Sequence, residues 1–395
     1  MKRTSALGAV LVLGALGLGF GASGLERAAA ARAARMVDAP VFEVDPFWPR
    51  PLPNRWLMGS AVGVGVDSRD HVFVVHRQAS LNPRTEVGAA QDPPTGECCL
   101  PAPPILEFDP DGNLVNAWGG PGEGYEWPAS NHGLTLDPMD NVWIGGNGAN
   151  DSHILKFTRD GRFLAQFGAP GRRADSHSTD HFGRVAKVSF DARAGEAYVA
   201  DGYGNKRVAV LDMNTGAFKR YWGAYGEEPD DTDLGPYDPD APPARQFRNP
   251  VHCAEPTHDG LVYVCDRPND RIQVFRTDGT FVDEMFIAPR TLGDGSTWDI
   301  AFSRDPEQRF MYVADGKNMR VYIVDRASLE LLTSFGDGGR QPGQFFGVHS
   351  IATDSRGHIY TTETYEGKRL QKFVYLGLAP VEERDRGVPW PESVR

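Results

Sequence analysis

The chain has 395 residues, a formal net charge of −12 and four cysteines. The acidic balance argues against nucleic acid or an anionic membrane surface as a partner, and four cysteines are too few for a disulfide scaffold of this length. The length exceeds that of most single domains, but one closed all-β domain can absorb it.

The first segment of the chain is predicted to be a secretory signal peptide. Two basic residues precede an apolar run over residues 6–22, and small residues follow it. An uncleaved membrane anchor is the alternative, which the modest length and the glycine content of the run disfavour. We assign residues 1–35 to a signal peptide and linker, 36–380 to the folded domain and 381–395 to a C-terminal tail. We therefore expect a secreted or periplasmic protein.

After the signal, one pattern of strands and turns recurs six times. Each copy has short alternating apolar stretches separated by turns rich in Gly, Asp and Asn, as in "MYVADGKNMRVYIVD" of the fifth copy. A four-stranded repeat of about 40 to 50 residues is typical of a β-propeller blade. The sixth copy lacks a clear fourth strand, whereas "PVFEVDPFWPR" has strand character and belongs to no copy. The sequence therefore predicts an all-β, six-bladed β-propeller of four-stranded antiparallel blades, whose N-terminal strand closes the last blade.

Three of the ten histidines stand at one register of this repeat. With the copies aligned on their first turn, the heads of the six first strands are Val62, His132, Ala186, His252, Trp298 and His349. First strands line the central channel, so imidazoles from blades 2, 4 and 6 are expected to converge on its axis. Such a His₃ set leaves an open position, as catalytic zinc requires. A single strand-head histidine is usually a satisfied polar residue, but the alternation favours a metal.

A second group of polar residues follows the second strands. Arg77, Tyr203 and Arg267 stand where the second strands of blades 1, 3 and 4 end, which places them on the same rim as the histidines. Positive charge from two guanidiniums and a metal would favour the phenolate of Tyr203, which could then act as a general base. Arginine can hold a carboxylate by two hydrogen bonds. The alternative for each residue is an exposed loop position, and only the set as a whole supports the functional interpretation.

Three long connections are expected to wall a pocket on this rim, namely residues 78–104, 169–184 and 227–249. The acidic run over 227–240 could bind Ca²⁺, but a solvated acidic loop is the preferred interpretation.

The cysteines form two potential pairs. Cys253 and Cys265 lie on two strands of one predicted hairpin, where they could form a disulfide in an oxidising compartment or remain buried thiols. Cys98 and Cys99 are adjacent, which would strain a bond between them.

The segments "HGLTLD", "ADGYGNKR", "VHCAEP", "CDRPNDRIQVF" and "VHSIATDSRGHIY" resemble the peptidyl-α-hydroxyglycine α-amidating lyases, a branch of the NHL-repeat propellers. The likeness spans roughly residues 59–374. It implies a zinc ion held by three histidines, a catalytic tyrosine and two active-site arginines, which map onto His132, His252, His349, Tyr203, Arg77 and Arg267.

The sequence also departs from that family. The resemblance implies a channel calcium bound by two carbonyls, matching Val64 and Leu134, and by an Asp after the last histidine. Ser350 takes that place here, so calcium is possible but doubtful. Gly204 replaces the cysteine after the catalytic tyrosine, so the family's disulfides do not carry over. In contrast, the "DHF" at Asp180–Phe182 resembles a segment that precedes the third blade in that family.

The resulting prediction is a secreted, zinc-dependent lyase that cleaves the C–N bond of a peptidyl-α-hydroxyglycine-like substrate to an amide and glyoxylate. Its expected partner is a small molecule or peptide with a C-terminal carboxylate. We expect it to bind no nucleic acid and, once the signal is removed, no membrane. A metal-dependent propeller hydrolase and a non-catalytic NHL-type binding module are the alternatives. A metal site with an open position would disfavour the binding module.

Overall fold

A computed structural model of the protein describes residues 36–172, 175–382 and 385–386. The predicted signal peptide lies outside these residues, as does most of the predicted C-terminal tail. None of the helices in the described part is long and apolar enough to cross a membrane.

The regular secondary structure of the described residues consists almost entirely of strands. It enters through β1 (Met36–Asp45) and the short β2 (Trp56–Leu57). Blade 1 contains β3 (Ser60–Val66), β4 (Val72–Arg77), then, beyond the short β5 (Leu100–Pro101), β6 (Ile105–Phe108) and β7 (Leu114–Trp118). Blade 2 contains β8 (Asn131–Leu136), β9 (Val142–Gly146), β10 (His153–Phe157) and β11 (Phe163–Gly168). Blade 3 contains β12 (Lys187–Asp191), β13 (Glu196–Asp201), β14 (Arg207–Asp212) and β15 (Phe218–Trp222).

The second half repeats the arrangement. Blade 4 contains β16 (Val251–Pro256), β17 (Leu261–Asp266), β18 (Arg271–Arg276) and β19 (Phe281–Phe286). Blade 5 contains β20 (Asp299–Phe302), β21 (Phe310–Asp315), β22 (Arg320–Asp325) and β23 (Glu330–Phe335). Blade 6 contains β24 (Val348–Thr353), β25 (Ile359–Glu363) and β26 (Arg369–Glu382), and β27 (Asp385–Arg386) follows. Short 3₁₀ turns cover Gln78–Ser80, Gly88–Ala90, Ala224–Gly226 and Arg267–Asn269.

The predicted six-bladed propeller is confirmed, and so is its closure. Each blade has four antiparallel strands, and the last blade has the order β1-β26-β25-β24. The N-terminal strand therefore supplies the outer strand of blade 6, which removes the open edge that the sixth copy would otherwise expose. The short β27 adds in parallel to β23 at the outside of blade 5.

Local turn chemistry explains why each copy folds back after its first strand. In blade 2 the Asp137 carboxylate accepts hydrogen bonds from the backbone amides of Met139 and Asn141, at 2.9 and 3.0 Å. This Asx turn satisfies amides that the strands leave free. Alternate apolar residues then face neighbouring blades and form the buried clusters between them, while the first strands stand around the channel.

The Cys253–Cys265 pair is disulfide-bonded, with the two Cα atoms 4.9 Å apart. These residues lie directly opposite each other in the β16–β17 register. The prediction that they are close enough to bond is confirmed. The structure also joins the neighbouring Cys98 and Cys99.

Candidate metal centre

Irregularities in the first strands place the histidines at the end of the channel. The strand pairing skips His252 in blade 4 and His349 in blade 6, and in blade 2 it shifts just after His132. Such β-bulges redirect a side chain and are frequent next to functional sites. In blade 2 the extra residue is Gly133, where a Cβ would lie 2.1 Å from the carbonyl oxygen of Ala186, so only glycine allows this approach.

The structure brings the three predicted ligands together. Each pair of imidazole rings among His132, His252 and His349 has a centroid separation between 4.8 and 5.1 Å. Their candidate ligand atoms lie within 4.8 Å of one another, and each residue is at most 3% exposed. Three nitrogen donors at the end of a buried channel suit zinc in type and number.

Each histidine is oriented by the next blade. The Nδ1 atom of His132 lies 2.8 Å from the carbonyl oxygen of Ala186, and that of His252 is hydrogen-bonded to the carbonyl of Trp298. In the third case Ser350 is a relay: its hydroxyl lies 3.0 Å from Nδ1 of His349 and donates to the carbonyl oxygen of Val62 at 3.3 Å. The partners Val62, Ala186 and Trp298 are the apolar strand heads of blades 1, 3 and 5. With every Nδ1 engaged, Nε2 is the ring nitrogen left to bind a metal, which is the usual arrangement around a ligating histidine.

Burial holds these imidazoles neutral. It lowers the pKa of His132, His252 and His349 well below the ordinary value, and the positive charges of Arg77 and Arg267 lower it further for His132 and His349. A neutral imidazole keeps a nitrogen lone pair available, which a metal ligand requires.

Tyr203 lies directly beside the histidines. Its hydroxyl oxygen is 3.0 Å from Nε2 of His132 and 3.1 Å from Nε2 of His252. The phenol follows β13 on a turn that packs tightly, because a Cβ at Gly202 would lie 1.9 Å from the carbonyl oxygen of Val251. The phenol is therefore within proton-transfer distance of two candidate ligand atoms.

Two of the three long connections brace the turn that carries Tyr203. From residues 169–184, the Arg184 guanidinium donates to the carbonyl oxygen of Tyr203. From residues 227–249, Asn249 Nδ2 donates to the carbonyl oxygens of Gly202 and Asn205, both at 2.7 Å. The predicted rim loops thus fix the position of the phenol.

The two predicted arginines approach from either side. Arg77 donates through Nε to the carbonyl oxygen of Asn131 at 3.1 Å and through Nη2 to Asn147 Oδ1 at 2.8 Å. Arg267 stacks on Trp298 with its Cζ 4.5 Å from the ring centroid, and lies 5.9 Å from that of Tyr203. Its buried Nε has no hydrogen-bond partner within the described residues. Its Nη2 lies 3.7 Å from Asp294 Oδ1, and the unpartnered Nε is the donor left for an anionic ligand.

Deeper in the channel an ammonium group joins two blades' carboxylates. Lys187 is buried, and its Nζ lies 2.7 Å from both Glu255 Oε1 and Asp299 Oδ1. Asp299 Oδ2 also accepts a hydrogen bond from the backbone amide of Ile351 at 3.1 Å. These three groups form an ion-pair network in the channel beyond the histidines.

A second group of possible ligands, Asp67, His71 and Glu107, lies elsewhere in the described residues. Arg159 contacts both carboxylates there, with its Nη2 2.6 Å from Glu107 Oε1. The guanidinium already neutralises this cluster, which is therefore an ion-pair network.

Sequence reasoning missed the relay through Ser350 and the stacking of Trp298 on Arg267. A serine beside a histidine carries no signal for such a relay, because the bond depends on the bulge in β24. The sequence pattern shows Trp298 only as an apolar strand head, whereas in the structure its ring contacts Arg267 and its carbonyl is hydrogen-bonded to His252.

Comparison with known proteins supports the fold and finds distant relatives. No protein-family model matches the chain. It is 24% identical over 366 residues to mouse NHL repeat-containing protein 3, covering 90% of this chain and 86% of that protein. It is 25% identical over 353 residues to peptidyl-alpha-hydroxyglycine alpha-amidating lyase 1 of Drosophila melanogaster, covering 84% of this chain and 59% of that one. A structural genomics protein of unknown function from Bacteroides thetaiotaomicron superposes with a TM-score of 0.52 at 13% identity, covering 85% and 76% of the two chains. The chain is thus similar to NHL-repeat proteins and, distantly, to amidating lyases.

Proposed function

We propose that the protein is a zinc-dependent lyase acting on N-acyl-α-hydroxyglycines, which it splits into an amide and glyoxylate. One observation carries the proposal: the Tyr203 hydroxyl lies 3.0 and 3.1 Å from Nε2 of two members of a buried His₃ cluster. A positioned phenol beside an open metal site is suited to taking a proton from a substrate hydroxyl. The distant similarity to an amidating lyase supports the same chemistry.

His132, His252 and His349 are the residues that would hold the ion. Their Nε2 atoms face one another, while hydrogen bonds on Nδ1 fix the rings. A bound divalent ion would supply Lewis-acid stabilisation of negative charge on a substrate oxygen.

The remaining chemistry is assigned to side chains of the chain itself. Arg77 and Arg267 bind the substrate carboxylate and orient the carbon that carries the hydroxyl. Tyr203 acts as the general base that takes the hydroxyl proton; the C–O bond becomes the C=O of glyoxylate as the C–N bond breaks, and the amide nitrogen receives the proton from Tyr203. One proton moves from oxygen to nitrogen, and neither oxidant nor water is consumed.

We also propose export of the mature protein from the cytoplasm. The N-terminal pattern predicts a signal peptide, and the Cys253–Cys265 disulfide is of the kind that persists in oxidising compartments.

The test is metal analysis of the purified protein followed by assay of glyoxylate release from N-benzoyl-α-hydroxyglycine. We expect about one zinc per chain and glyoxylate release that depends on the metal. A simple lactone is assayed in parallel. Lactone turnover without glyoxylate release would replace the lyase by the hydrolase, and failure of both reactions would favour a binding module.

A further inference from the structure

Tyr365 occupies the place in blade 6 that Tyr203 occupies in blade 3. In blade 3, Asp201 ends β13 and Tyr203 follows two residues later; in blade 6, Glu363 ends β25 and Tyr365 follows two residues later. Both blades therefore present a tyrosine after the second strand. Blades 3 and 6 stand on opposite sides of a six-bladed ring, so the two tyrosines flank the channel mouth from opposite sides.

The supporting contacts of the two turns also correspond. Asp201 accepts from Arg207 Nε at 2.9 Å and from the backbone amide of Gly183 at 2.7 Å. Glu363 accepts from Arg369 Nε at 2.7 Å and from the backbone amide of Phe346 at 2.8 Å. In both blades, an acidic residue joins the arginine that begins the third strand to the loop entering the blade. The equivalence of the tyrosines therefore rests on structure as well as spacing.

The backbone at Tyr365 is held in an unfavourable conformation. Its φ is 49°, in the left-handed region where glycine is preferred, and its carbonyl oxygen accepts a hydrogen bond from Ser60 Oγ at 2.8 Å. Among the described residues, three other large apolar or aromatic residues have positive φ: Tyr225, Met319 and Leu329. Those three pack against buried clusters, whereas Tyr365 is 55% exposed. Core packing therefore does not explain why a tyrosine stands there, and strained residues of this kind cluster at functional sites.

The surroundings of Tyr365 are those of the metal centre. Its ring centroid lies 6.3 Å from that of Trp298, on which Arg267 stacks. Burial and the nearby Asp294 carboxylate raise the pKa of its phenol, and the positive charges of Arg267 and Arg77 oppose that shift. An exposed aromatic ring thus stands beside the guanidiniums assigned to the substrate carboxylate, across the mouth from Tyr203.

We propose that Tyr365 is a specificity-determining residue that packs against the acyl group of the substrate and favours aromatic or other bulky apolar acyl groups. The inference rests on the proposed function, since it names the part of an N-acyl-α-hydroxyglycine that Tyr365 contacts. With the carboxylate between Arg77 and Arg267 and the hydroxyl at Tyr203, the acyl group is the remaining part, and Tyr365 is the exposed apolar surface beside it.

The first test compares N-benzoyl- and N-acetyl-α-hydroxyglycine. Tyr365→Ala should lower kcat/KM for the benzoyl substrate by about 10-fold, the size of a lost aromatic contact, and for the acetyl substrate by less than about 3-fold. Tyr365→Phe should keep the wild-type preference. Equal losses for both substrates, or no loss, would overturn the inference.

A second variant separates substrate recognition from folding. Tyr365→Gly should be at least as stable as wild type in thermal unfolding, because glycine tolerates the positive φ, while losing the benzoyl preference. A Tyr365→Gly protein with a clearly lower Tm would show that the ring serves the fold and would contradict the inference.

A binding measurement keeps the inference separate from the lyase assignment. Calorimetry with the metal-loaded protein should show N-benzoylglycine binding more tightly than N-acetylglycine, and Tyr365→Ala should remove most of that difference. If wild type releases no glyoxylate but shows this Tyr365-dependent difference, the lyase proposal fails and the acyl-group contact stands. If wild type does not distinguish the two ligands, the acyl-group contact is wrong.

Discussion

Replacing Ser350 by alanine tests how the candidate metal centre is supported. Two of the three histidines are held by main-chain carbonyls, which no side-chain substitution removes, but His349 depends on the Ser350 hydroxyl. Ser350→Ala deletes the 3.0 Å contact to Nδ1 and leaves the carbonyl oxygen of Val62 without its 3.3 Å partner. Loss of an outer hydrogen bond to a ligating histidine typically costs about 10- to 100-fold in metal affinity. That corresponds to about 1.4 to 2.8 kcal/mol, within the range for one lost hydrogen bond to a charged or metal-bound group.

The assay is competitive titration of zinc between the protein and a chelating dye. Ser189→Ala is the matched control, because Ser189 is also buried in the channel and its hydroxyl donates to Glu255 at 2.7 Å, without contacting a histidine. We expect only Ser350→Ala to weaken zinc binding, with both variants showing similarly modest losses of thermal stability. An unchanged zinc affinity in Ser350→Ala, or equal weakening in both variants, would refute the relay.

Three further predictions address catalysis, the disulfide and pH. Tyr203→Phe should leave zinc bound while lowering turnover of an N-acyl-α-hydroxyglycine by about 10² to 10⁴-fold, and retained turnover would exclude Tyr203 as the base. Replacing Cys253 and Cys265 by alanine should lower the free energy of unfolding by roughly 3 kcal/mol in denaturant titration, as expected for a closed loop with a sequence separation of 12; no change would mean that the bond does not form in solution. Burial lowers the pKa of His76 to about 4, so below about pH 6.5 the unfolded chain binds a proton more readily than the folded chain does. The free energy of unfolding should therefore fall by up to about 3 kcal/mol between pH 6.5 and 4. His76→Gln should remove that part of the pH dependence.

The propeller could be predicted because the pattern of apolar and turn residues repeats along the sequence. Six copies of one pattern predict the blades, and the strand character of residues 40–50, which belong to no copy, predicts the closure that β1 and β26 make. The convergence of His132, His252 and His349 follows from the same periodicity, because equivalent positions in equivalent blades share one end of the channel.

The features of the site that could not be predicted depend on the local path of the backbone within a strand. The bulge at His252 and the carbonyl that orients its ring have no signature in the sequence, since any residue supplies a carbonyl. Tyr365 did carry a signal, because its spacing from Glu363 repeats that of Tyr203 from Asp201. That signal is weak, because the acidic residue differs between the two copies.

The shared support of the three histidines has a consequence for how the protein matures. Blade 6 takes its outer strand from the start of the folded domain, and the relay from His349 ends on Val62 in blade 1. A chain still being synthesised therefore contains at most His132 and His252 until its final blade has emerged. The Ser350 hydroxyl cannot fix the ring of His349 until blade 6 packs against blade 1. If the proposed ion binds there, its acquisition would thus come after ring closure.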